Sequence, residues 1–190
     1  MYAGTMTADG FNAKNYETAY LPFASFGDLE GLPLNAGITV AQSLGEEISS
    51  RISAFMLPVQ PFAGAVQGGK FGLNVDPLLL YDMGLDLARE VKRQRFNKLV
   101  LHQGFSGMSM LYPLTRHLNA NEGIKTVFVR PCENVDFGAI IAYLNGIGGE
   151  GAIFTNLVES AVKHINEAFA FMAANGNYTG GREIGWRERP

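Results

Sequence analysis

Apolar and polar positions along this chain follow two rhythms. Four short apolar runs read as strands: TAYLPFASF (18–26), FMLPVQPF (55–62), KLVLHQ (98–103) and IKTVFV (124–129). Pro22 argues against a central place in a sheet for the first. Pro58 and Pro61 make the second an edge strand or extended segment. Between the runs the period lengthens to that of helices. In ITVAQSLGEEISSRISA (38–54), Val40, Leu44, Ile48 and Ile52 line one helical face. DPLLLYDMGLDLAREVKRQRF (76–96) carries its own punctuation, with Asp76 to cap, Pro77 for the first position and basic residues at the end. Helices are also predicted over about 109–121, 136–144 and 152–174, and a glycine-rich loop over 63–72. Strands alternating with helices predict an α/β fold. We expect one domain over 1–190, a three-layer α/β/α sandwich with a mainly parallel sheet. The ends, 1–16 and 176–190, are expected to be irregular.

Composition fits this picture and narrows the function classes. The chain has 190 residues, 47% of them apolar and 17% charged, enough apolar material for a sizeable core. Fifteen basic against eighteen acidic residues give a net charge of -3, and no basic stripe points to nucleic acid. No apolar run is long enough to span a bilayer, and the N-terminal stretch lacks the basic-then-apolar order of a signal peptide. The single cysteine, Cys132, has no intrachain partner, in keeping with a reducing compartment. The expectation is a cytoplasmic protein with neither nucleic-acid nor membrane partners.

In open parallel sheets, ligands sit beyond the carboxyl ends of the strands. Three segments are expected there: SFGDLEGLPLNAG (25–37), QGFSGM (103–108) and NGIGGEG (145–151). Here a resemblance enters. LPFASFGDLEGLPLNAG, followed by an amphipathic helix, resembles the start of the creatininase (creatinine amidohydrolase) family, whose pattern is close to LPVGSxEQHGPHLPLxTD. VLHQGFSGM is similar to its strand and loop VxxNGHxxN, NGIGGEG to its GHAGE segment, and LPVQPFAGAVQGGKFGLNVDPLLL to the loop and helix start between them. The likeness spans about residues 20–150. It implies a creatininase-like fold and a hydrolase holding two divalent ions, zinc or manganese, on carboxylates and imidazoles, where a bridging water attacks a C–N bond.

Carried across residue by residue, that ligand set is missing. The resemblance places the first Glu at Gly27, its neighbouring His at Leu29 or Glu30, and the Asp closing the first motif at Gly37. The His of the second motif falls at Phe105, and a further acidic position near Gly107. The His of the third motif falls at Ile147, and its Glu is kept as Glu150. Glycine and aliphatic or aromatic hydrocarbon side chains cannot coordinate a metal. We therefore expect a protein without the family's metal or cofactor, acting as a non-catalytic subunit or a binding protein for a small ligand or partner. The alternative is a hydrolase or lyase whose site has been remodelled from Asp28, Glu30, His102 and Glu150, with zinc or manganese. On the residues alone, Asp28 and Glu30 read as exposed loop charges and His102 as a hydrogen-bonded structural group.

Other features read as structure. GFSGM has the wrong frame for a hydrolase nucleophile elbow at Ser106, and His117 and His164 have no placed acid partner. GGKFG (68–72) lacks phosphate-loop spacing. Cys132 has no activating neighbour in sequence, and Arg130 suits an ion pair as well as an anion site. Phe23, Phe26, Phe55, Phe62, Phe71 and Phe105 read as core or interface residues. The wide apolar face of 152–174 suits sheet packing or a subunit contact. The resemblance also implies about fifty more residues than this chain has, and a homo-oligomer. We expect a dimer or hexamer, or a complex with an active paralogue.

Overall fold

A computed structural model describes residues 16–27, 32–63, 71–104, 110–133, 136–146 and 151–176. Strand β1 (Thr18–Phe23) leads to helix α1 (Ala36–Arg51), β2 (Phe55–Met56), α2 (Pro77–Arg93), β3 (Lys98–Gln103) and α3 (Leu111–His117). A five-residue π turn (Leu118–Glu122), β4 (Lys125–Val129), α4 (Phe137–Leu144) and α5 (Gly151–Asn175) follow. The strands form one parallel sheet in the order β2-β1-β3-β4, so the α/β expectation holds.

Alternation along the strands splits the core into two layers. Tyr20, Val100, Val127 and Val129 face α1, α4 and α5, meeting Val40, Leu44, Ile48, Ile140, Val158 and Ile165. Ala19, Leu21, Phe23, Leu99, Leu101 and Phe128 face α2 and α3, meeting Leu80, Ala88, Val91, Leu111 and Leu114. The wide apolar face of α5 is thus mainly sheet packing, with Val158, Ala161, Ile165, Ala168 and Met172 buried. Among the described residues no helix is long and apolar enough to cross a membrane.

Several boundaries differ from expectation for visible reasons. The first strand ends at Phe23 rather than 26. It is an inner strand despite Pro22. The carbonyls of Tyr20 and Pro22 accept from Leu57 and Gln60, so the missing Pro22 N–H falls on the side where β2 has already ended. The helices predicted over 38–54 and 76–96 stop at Arg51 and Arg93. Each closes in a Schellman motif: Ser53 and Arg95 take the left-handed position at φ 53° and 72°. Ala54 then donates back to Ser49, and Phe96 to Val91. Asp76 caps α2 as expected, accepting from Leu78 N at 2.7 Å.

The helix predicted over 109–121 is two pieces. The α-helical turns end at His117, and the wider π turn carries Asn119 onto the outer edge of β4. There Asn119 does the work of a neighbouring strand. Its Oδ1 accepts from Thr126 N at 2.8 Å and its Nδ2 donates to Thr126 O at 2.8 Å. A capped edge cannot recruit a further strand at that point.

Candidate functional site

The strand order creates a topological switch. The chain leaves β1 for β2 on one side, with α1 on one face, and then returns for β3 on the other side, with α2 on the opposite face. The crevice beyond the carboxyl ends of β1 and β3 is where open α/β folds hold ligands. Four described residues meet there: Ser25 and Gly27 after β1, Gly37 in the first turn of α1, and Gly104 after β3.

Backbone fills this place closely. Gly27 N donates to Leu34 O at 2.9 Å, and Leu73 N donates to Phe26 O at 2.9 Å, so the 71–73 segment lies directly against the loop after β1. A Cβ at Gly27 would stand 2.7 Å from Phe71 O and 2.9 Å from Gly72 Cα; one at Gly37 would stand 2.6 Å from Ser25 O. Both contacts are with backbone, which cannot swing aside as a side-chain tip can. At Gly104 a Cβ would meet Ala41 Cβ at 2.7 Å.

His102 is not at the crevice surface. It lies on β3 paired with Pro22 on one side and Val129 on the other, is 0% exposed, and faces the α1, α4 and α5 layer. Burial lowers its pKa to about 3, so the ring is neutral at physiological pH. On the residues alone His102 reads as a hydrogen-bonded group; among the described residues neither ring nitrogen has a partner. Its ring meets Tyr20 edge-on, with centroids 5.6 Å apart. Cys132, in the turn after β4, is buried, and desolvation pushes its thiol up to about 12, far from a reactive thiolate. Arg130 pairs with Glu133 at 3.0 Å. His117 has an acid neighbour after all, Glu122 at 3.6 Å, but on the π turn at the opposite edge of the sheet, where Arg89 holds Glu122 at 2.7 Å. Burial lowers the pKa of His164 on α5, while a hydrogen bond to the Phe128 backbone opposes the shift.

Asp28, Leu29, Glu30, Phe105, Ser106, Gly107, Ile147 and Glu150 lie outside the described residues. Among the described residues no three His, Cys, Asp or Glu side chains gather as metal ligands. At Gly27 and Gly37, the two described positions where the resemblance places carboxylate ligands, the residues do not fit a metal centre: neither has a donor atom, and neither has room for a side chain that would carry one.

The fold and the switch-point crevice define an open parallel α/β protein, and comparison narrows the class. The chain has a creatininase-like fold. It is similar to the solved structure of a creatinine amidohydrolase (creatininase), with a TM-score of 0.60 and 21% identity over 79% of this chain and 65% of that one. It matches a manganese creatininase at 0.60 and 20% identity, over 80% and 66% of the two chains. A mutant creatininase of zinc–zinc type gives 0.58 and 20%, over 80% and 66%. The chain thus spans less than two thirds of these neighbours' length. No family profile matches it, and no curated protein does.

Proposed function

We propose that this protein uses a creatininase-like scaffold without dinuclear-metal amidohydrolase chemistry, acting as a non-catalytic subunit or a binding protein. One observation carries the reading. At Gly27 and Gly37 the backbone stands 2.7 and 2.6 Å from where any side chain would begin, so two carboxylate positions implied by the resemblance are closed as well as changed. A rebuilt site from Asp28, Glu30, His102 and Glu150 gains no support from His102, which is buried on the helix-covered face of the sheet. The protein acts as a homo-oligomer or beside an active paralogue. Supporting this, Leu34, Phe71, Leu73, Leu78 and Leu79 are exposed, Leu78 by 66%, and all belong to the segments bordering the crevice or the first turn of α2.

Elemental analysis of protein purified without chelator tests the reading, with light scattering on the same sample. The expected result is no stoichiometric zinc, manganese or iron, and a mass that is a multiple of 20.6 kDa. One or two tightly held metal ions per chain would overturn the non-catalytic reading. A monomer stable on dilution would overturn the oligomer.

A further inference from the structure

On the α1 face of the two central strands, two polar side chains lie side by side with no partner among the described residues. The hydroxyl of Tyr20 and both ring nitrogens of His102 are buried and have no partner among the described residues, and each residue is 0% exposed. The register fixes their closeness. Tyr20 pairs with Val100 and Pro22 with His102, so Tyr20 and His102 are diagonal neighbours on one face of the two central strands. Their rings meet at 66° with centroids 5.6 Å apart. That face is otherwise lined by apolar groups such as Val40, Leu44, Val100 and Val129.

Hydrogen-bond chemistry makes this arrangement costly as it stands. A neutral imidazole presents one N–H and one lone pair in either tautomer, and a phenol presents one O–H and an acceptor oxygen. The pair therefore offers two donors and at least two acceptors in an apolar enclosure, each expensive to leave unmade. Burial keeps His102 and Tyr20 uncharged at neutral pH, and a negative charge at Cys132 would further oppose ionisation of Tyr20. A charged guest would find no opposing charge on either ring.

We propose that His102 and Tyr20 form a buried receptor for a small uncharged molecule that both donates and accepts hydrogen bonds. Ordered water and a small neutral solute are the two sources of that chemistry. The existence of this site does not depend on whether the protein is catalytic.

The test uses the full chain with 15N-labelled histidine at pH 7. Two signals are sought: a cross-peak between the His102 ring and a long-lived water, and a saturable shift of the ring on titration with ethylene glycol. The expected result is at least one of them, lost in Tyr20→Phe. The first identifies water as the occupant and the second a solute. The variants Tyr20→Phe and His102→Phe conserve ring shape, and both should unfold at lower denaturant than the parent, because each removes bonds to the occupant. The wild-type signals need no variant to fold. Absence of both signals, or a hydrogen bond from the His102 ring to a residue of the chain itself, overturns the proposal.

Discussion

Replacing Asn119 by leucine should unfasten the outer edge of the sheet. In the native protein Asn119 is 3% exposed, and its side chain holds both backbone groups of Thr126, itself 1% exposed, at 2.8 Å each. Leucine is close in size but can do neither job. Two buried backbone groups would then be orphaned at about 1–3 kcal/mol each, or roughly 4 kcal/mol together. The added apolar burial returns about 1–2 kcal/mol. The net loss is about 2–3 kcal/mol, which at a urea slope of about 1–3 kcal/mol/M moves the midpoint by roughly 1 M. Asn119→Asp separates the two bonds. Its carboxylate still accepts from Thr126 N–H but faces the Thr126 carbonyl with a negative charge. A protonated carboxyl can donate there instead. The folded pKa of that carboxyl therefore lies above the unfolded value, and stability relative to the parent should rise as pH falls from 7 to 5. Urea unfolding of the three proteins at both pH values is the assay. If Asn119→Leu unfolds within about 0.2 M of the parent, or Asn119→Asp gains nothing at pH 5, the Asn119–Thr126 pairing does not hold the edge.

Three further outcomes follow from the same structure. Gly37→Ala should destabilise by about 1–3 kcal/mol, because its Cβ would stand 2.6 Å from the Ser25 carbonyl oxygen; an unchanged melting temperature would show that the start of α1 yields freely. Arg95 is exposed at φ 72°, so Arg95→Gly should stabilise by roughly 0.5–1 kcal/mol in denaturant unfolding, and a loss of stability would contradict the strained closure of α2. The His102 pKa falls from 6.5 to about 3 on folding, so between those values the unfolded chain binds a proton that the folded chain refuses. Stability present at pH 7 is lost on acidification by up to about 1.4 kcal/mol per pH unit, and the same series on His102→Phe should lack that component.

What the sequence showed, and what it hid, divides by the range of the interaction. Asp76 and Pro77 mark the start of α2 because a cap acts within one turn, and the unbroken apolar run of Leu99, Val100 and Leu101 marks β3 because a buried strand is apolar on both faces. The ends of α1 and α2 were misplaced because Ser53 and Arg95 do what glycine usually does, which no local pattern signals. Pro22 looked like an edge residue because the early end of β2 cannot be read from β1. Asn119 leaves only a faint trace in the sequence: a polar residue of low helix propensity directly after Leu118, near the end of a helical pattern. Gly27 and Gly37 were legible as positions where the resemblance implies carboxylates. That backbone stands close against Gly27 required the distant 71–73 segment to be placed against the loop after β1.

The two borders of the sheet and its centre bear on function together. β2 is two residues long and runs into the Pro58 segment, and β4 is held by Asn119 at Thr126. Short or capped edges resist strand-to-strand association, so assembly through the sheet is disfavoured at both borders. The exposed leucines lie elsewhere, Leu34 and Leu73 beside the crevice and Leu78 and Leu79 in the first turn of α2. The described scaffold has a switch point between β1 and β3, brings backbone against Gly27 and Gly37, and exposes Leu34, Phe71 and Leu73 next to it. Under the proposed function that surface, and not the floor of the crevice, is what a partner would meet.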